Sequence, residues 1–120
     1  MAKKVLIVED YADVRTMMST YLTIQGYEVV EAPDGYKAVE AALEQKPDVI
    51  LMDISMPVMD GIYSTKAIRD HADFVNIPII ALTAFGDFYH DRARNAGCND
   101  VLQKPIDFGE LEQVMHQYLH

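Results

Sequence analysis

A chain of 120 residues has room for one domain with a real core and is too short for two. Half of it is hydrophobic and 24% charged, the profile of a soluble globular protein. The net charge of −9, with ten scattered Lys and Arg, argues against direct binding to nucleic acid and suits cations or basic partner surfaces. No apolar run approaches the roughly 18 residues of a membrane span. The run after Met1 is only a strand long and ends in Glu9-Asp10, so it does not read as a signal peptide. A lone Cys98 excludes an internal disulfide and points to a reducing cytoplasm. With no linker, low-complexity segment or repeat, residues 1–120 read as a single domain.

Val5-Leu6-Ile7-Val8 is a continuous apolar run, as expected of a strand buried on both faces. Val14, Met17, Met18, Tyr21 and Leu22 then recur at helical spacing, with Gly26 as the stop. Tyr27 to Ala32 reads as a second strand and Pro33-Asp34-Gly35 as a turn. Ala38, Val39, Ala42 and Leu43 mark a helix that ends before Pro47. Val49 to Met52 is the next strand, running into Asp53. Met56-Pro57-Val58-Met59-Asp60-Gly61 reads as a loop, and Ile62, Thr65 and Ile68 place a helix after it. Pro78 to Leu82 is a fourth strand ending at Thr83. A thinly apolar helix near Asp87 to Ala96 stops at Gly97. Val101-Leu102 is a short fifth strand ending at Lys104-Pro105. Asp107 and Glu110 resemble a capping box, and Leu111, Val114, Met115, Tyr118 and Leu119 give the last helix its apolar face.

Strands alternating with helices imply a parallel sheet covered on both faces, because parallel strands need crossover connections. A doubly wound α/β sandwich of the flavodoxin-like kind, with strand order 2-1-3-4-5, is the expected architecture. Ligands in such folds bind at the carboxyl ends of the strands. Glu9 and Asp10 follow the first strand and Asp53 ends the third, so three carboxylates should converge there. Unpaired, they would raise one another's pKa values, and a divalent cation removes that penalty. An all-oxygen cluster suits Mg²⁺ or Mn²⁺. Thr83 and Lys104 stand at the same rim, a hydroxyl donor and an ammonium suited to phosphoryl oxygens. A carboxylate nucleophile, a cation, a hydroxyl and a lysine are the parts that phosphoryl transfer to Asp requires.

With Glu9-Asp10, Asp53, Met56 to Gly61, Thr83-Ala84 and Lys104-Pro105 in this order, the whole chain resembles a response-regulator receiver domain of two-component signalling. The resemblance implies that Asp53 attacks the phosphohistidine of a sensor kinase or phosphotransfer protein and becomes an aspartyl phosphate. It implies a Mg²⁺ site made by Glu9, Asp10, Asp53 and the backbone carbonyl of Ser55. Lys104 would pair with the phosphoryl group and, before phosphorylation, with Asp53. Thr83 would swing toward the phosphoryl oxygens and signal to a downstream protein through the face of helix 4, strand 5 and helix 5. The Lys104–Pro105 bond would be cis. The chain would be a monomer or a phosphorylation-dependent dimer, with no separate substrate beyond its own phosphoryl transfer and autodephosphorylation.

Three residues before Lys104, where receivers commonly carry Tyr or Phe, this chain has Val101, so an aromatic relay cannot operate. Phe85, two residues after Thr83, is bulky beside the expected site and is expected to restrict water there and alter the lifetime of the phosphorylated state. Phe88 and Tyr89 fit either a partner surface or core packing. His116 and His120 share a helical face at a spacing that fits a frayed terminal helix better than a metal site. His71 and His90 have no catalytic pattern, and Cys98 reads as a packing residue.

Other functions fit less of the pattern. A phosphatase of the haloacid-dehalogenase type would need a second Asp two residues after the nucleophile, where Ser55 stands. A flavodoxin-like cofactor carrier would need a phosphate loop after Val8. The alternative that retains weight is a receiver-like interaction module acting without phosphorylation.

Overall fold

The computed structural model describes residues 2–55, 61–84 and 90–119. Its strands are β1 (Lys4–Val8), β2 (Glu28–Ala32), β3 (Val49–Asp53), β4 (Ile79–Thr83) and β5 (Asp100–Gln103). Its helices are α1 (Ala12–Ile24), α2 (Gly35–Gln45), α3 (Gly61–Arg69), α4 (His90–Ala96) and α5 (Phe108–Leu119). The strands form one parallel sheet, as the alternation of elements predicts, in the order β2-β1-β3-β4-β5 expected of the flavodoxin-like class. Among the described residues no helix is long and apolar enough to cross a membrane.

The pleat sends alternate residues of each strand to opposite faces. Leu6, Val8, Ile50, Met52, Ile79 and Ala81 face α2, α3 and α4, where Ala38, Ala42, Ile62, Ile68, Ala93 and Ala96 cover them. Val5, Ile7, Val49, Leu51, Ile80 and Leu82 face α1 and α5, against Met18, Leu22, Leu111, Val114 and Met115. β1, β3 and β4 are therefore apolar on both faces, while edge strand β2 keeps Glu28 and Glu31 exposed.

Several boundaries move for local reasons. Tyr27 is spent closing α1, its N–H donating to the Leu22 carbonyl, so β2 starts at Glu28. Gly26 before it takes φ +99°, the left-handed conformation a helix stop requires. Gly35 is the first residue of α2 and not part of a turn, because the Asp34 carboxylate caps the helix by accepting from the Lys37 N–H at 2.9 Å. Pro78 has no N–H to give, and β4 starts one residue later, although the Pro78 carbonyl still accepts from Ile50 N–H. Asp107 caps α5 by accepting from the N–H groups of Gly109 and Glu110. A 3-10 turn, Ala72–Phe74, was not expected; it places Phe74 in the core beneath α3. The expected loop residues Met56 to Asp60, the expected start of α4, and Phe85, Phe88, Tyr89 and His120 lie outside the described residues.

Candidate functional site

Register brings the polar residues to one rim. Val8 pairs with Met52, so Glu9 and Asp53 leave adjacent strands side by side. Asp53 pairs with Leu82 and Thr83 with Gln103, which puts Thr83 and Lys104 one step further along the same edge. Backbone bonds hold the strand exits together: Glu9 N–H to Ala32 O at 3.1 Å, Ile54 N–H to Leu82 O at 3.1 Å, and Lys104 N–H to Thr83 O at 2.7 Å. The Lys104–Pro105 peptide is cis.

Glu9 is 1% exposed, Asp53 2% and Thr83 fully buried, whereas Asp10 faces solvent. The Lys104 ammonium lies 2.8 Å from Glu9 Oε2 and 3.1 Å from Asp53 Oδ2. The other Asp53 oxygen, Oδ1, accepts from the Ser55 N–H at 2.9 Å, so both carboxylate oxygens of Asp53 are held. Burial drives the Glu9 carboxyl pKa above its usual value; the hydrogen bond from Lys104 opposes this and the charge of Asp53 adds to it. Burial works against the Lys104 charge, but Glu9 and Asp53 outweigh it and the ammonium pKa rises.

Glu9, Asp10 and Asp53 each offer a carboxylate oxygen within 4.8 Å of the others. Three acids against the single ammonium of Lys104 leave a deficit of two positive charges when all are ionised. An all-oxygen donor set with that deficit fits a hard divalent cation such as Mg²⁺.

Residues 5–116 match the family of the response regulator receiver domain. The chain belongs to that family. The polar-differentiation response regulator DivK of Brucella anthropi is 36% identical over 122 residues, which cover 99% of this chain and 98% of that protein. The chemotaxis protein CheY4 of Vibrio cholerae superposes with a TM-score of 0.94 at 33% identity, covering 99% of this chain and all (100%) of the other. The receiver domain of the sensor histidine kinase PA1611 from Pseudomonas aeruginosa, solved with a magnesium ion coordinated in its active site cleft, gives a TM-score of 0.91 at 36% identity, with 98% of each chain covered. The co-crystal structure of the Saccharomyces cerevisiae phosphotransfer protein Ypd1 with the receiver domain of Ssk1 holds a chain with a TM-score of 0.90 at 29% identity, covering 98% of this chain and 88% of that one.

In this receiver the expected residues Glu9, Asp10, Asp53 and Lys104 do come together, with Ser55 hydrogen-bonded to Asp53 and Thr83 next along the rim. Val101 is half-buried against the cluster beneath α2, α3 and α4. Two contacts went unforeseen. Lys104 was expected to pair with Asp53, yet its shorter bond is to Glu9; the extra methylene of Glu over Asp was the available signal. Arg15 of α1 donates from Nη1 to the Glu9 carbonyl at 2.7 Å and pairs through Nε with Glu31 at 3.2 Å, anchoring the acid pair to α1 and β2. Its place one turn into α1, five residues after Asp10, hinted at that reach only weakly. His71 meets Phe74 edge to face, and Cys98 is buried against Thr65 Oγ1, in keeping with packing roles.

Proposed function

We propose that this receiver is a phosphorylation-activated switch in which Asp53 accepts a phosphoryl group from a phosphohistidine of a sensor kinase or phosphotransfer protein. The carrying observation is the buried Asp53 carboxylate, held on one oxygen by the Ser55 N–H and on the other by Lys104, beside Glu9 and Asp10. Asp53 Oδ attacks phosphorus, the P–N bond to histidine breaks, and an acyl phosphate forms. Lys104 is placed to shift its ammonium from the carboxylates to the phosphoryl oxygens, and the Thr83 hydroxyl to donate to them. Glu9, Asp10, Asp53 and the Ser55 carbonyl are the residues that would hold Mg²⁺ or Mn²⁺. Such an ion supplies charge neutralisation for the carboxylates and the incoming phosphoryl group. The chain acts on no separate substrate in this reading.

The phosphodonor docks where an apolar groove adjoins Lys104. Val14 and Met17 of α1 line it with Ala84, Pro105 and Ile106, and Tyr11 stands exposed close by in sequence. Output runs through α4, β5 and α5 to a downstream protein, with the phosphorylated chain monomeric or dimeric. α4 is the cheapest element to shift, since only Ala93 and Ala96 of its described residues are buried. Arg94 pairs with Asp100 at 3.7 Å, and the Tyr118 hydroxyl bonds to Asn99 O and Asp100 Oδ2, so one network joins these three elements. Val101 replaces the usual aromatic relay, which favours coupling through this network. The same residue favours the second reading, a module that signals by contact without phosphorylation.

Incubation with Mg²⁺ and acetyl phosphate, and separately with beryllium fluoride, tests the proposal. Stable labelling that vanishes in Asp53→Asn is the expected result. Multi-turnover hydrolysis of a phosphoester would point to an enzyme, and no Mg²⁺-dependent change to the contact module.

A further inference from the structure

Gly61, the first residue of α3, is buried against the strand exit that carries the acceptor. A Cβ built on it would fall inside the van der Waals envelope of the Asp53 carbonyl oxygen. It would also lie 2.7 Å from Ile54 Cα and 2.9 Å from the Asp53 carbonyl carbon. All three neighbours are backbone, so no side-chain rotation relieves the overlap. The peptide they belong to is already engaged on its other side, where Ile54 N–H donates to Leu82 O in β4 at 3.1 Å. One residue further on, the Ser55 N–H orients Asp53 Oδ1 at 2.9 Å.

We propose that Gly61 is a positioning residue for the acceptor: its missing side chain lets α3 press on the Asp53–Ile54 peptide and set the direction of the Asp53 carboxylate. A methyl group there must push that peptide away from α3, and the displacement is inherited by the Asp53 side chain and the Ser55 N–H. The clearance is needed because Gly61 touches backbone. The inference rests on the phosphoacceptor reading of Asp53 and deepens it. Misplacement of a reacting group by a fraction of an ångström to an ångström costs roughly 10- to 100-fold in rate.

The test compares wild type, Gly61→Ala and Gly26→Ala. Gly26→Ala introduces strain at φ +99° with nothing within 4 Å of the new methyl, remote from the rim, and so calibrates a loss of stability without local displacement. Mg²⁺ affinity is measured by calorimetric titration and labelling rate with acetyl phosphate, both well below the unfolding midpoint of each variant. The expected result is a folded Gly61→Ala that loses at least about tenfold in Mg²⁺ affinity and in labelling rate, while Gly26→Ala keeps both despite its lower midpoint. Gly61→Ala indistinguishable from wild type overturns the inference. So does a proportional loss in Gly26→Ala, or a Gly61→Ala chain that does not fold, since the proposal requires a folded chain with a displaced acceptor. Failure of the wild type itself to label would instead overturn the reading beneath it.

Discussion

Lys104 places a single ammonium against two carboxylates that are nearly sealed from water. Replacing it with Met leaves Glu9 and Asp53 facing each other, and removing one partner of a buried ion pair costs about 3–5 kcal/mol, less here because the Lys104 side chain is partly exposed. The pH dependence follows from Glu9. Burial has already raised its pKa above the usual 4.5, so the folded chain holds this proton more tightly than the unfolded chain. The stability linked to that proton is fully present below about 4.5 and is lost as pH rises through the raised value. Removing Lys104 removes the contact that lowers the Glu9 pKa, which widens this window upward. Urea unfolding of Lys104→Met should show a clear deficit against wild type at pH 8 that narrows at pH 5. Equal deficits at the two pH values would contradict it.

At the scale of an element, α2 shows how a helix end is set by more than propensity. Its start is capped by Asp34, but its end places Lys46 at φ +48°, ψ +63°, a left-handed conformation in which a Cβ is crowded. Glycine is the residue that accepts this conformation without steric cost. Lys46 is exposed and its N–H bond to the Ala42 carbonyl is independent of side chain. Lys46→Gly should therefore stabilise the chain by about 0.5 kcal/mol, the relief of strain exceeding the added entropy of the unfolded state. Chemical denaturation with an unchanged slope is the check, and a loss of stability would show that the lysine stem packs usefully.

For the whole molecule the relevant quantity is charge. The chain carries −9, and three of its acids are gathered at one rim with one lysine between them. Any cation that binds the folded rim and not the unfolded chain stabilises the fold by mass action. At a free Mg²⁺ concentration 100 times its Kd the gain is about 2.7 kcal/mol. For a domain of this size that moves Tm upward by roughly 10 °C. The gain should disappear on chelation and shrink in Asp10→Asn, where one negative charge is removed from the rim. An equal rise in both chains would assign the effect to ionic strength and not to the site.

The strands were legible in the residues because a buried parallel strand needs an unbroken apolar run, while their order followed from the fold class and not from the runs themselves. The runs ending at Val8, Met52 and Leu82 carry that signal, and polar residues directly after them had to emerge at one rim. Boundaries were less legible where one hydrogen bond decides them, as at Tyr27, Gly35 and Pro78. The 3-10 turn at Ala72–Phe74 left no periodic trace, being shorter than any helical repeat. The residue types of the site, Glu9, Asp10, Asp53, Thr83 and Lys104, were determined by sequence alone. The Lys104–Asp53 pair was expected from them, and tertiary structure decided the rest. That Lys104 also reaches Glu9, that Arg15 spans to the Glu9 carbonyl, and that Gly61 meets backbone where a side chain would stand all depend on distances between elements far apart in the chain. Local pattern sets which way a side chain points from its strand; packing of the helices on the sheet sets what it meets.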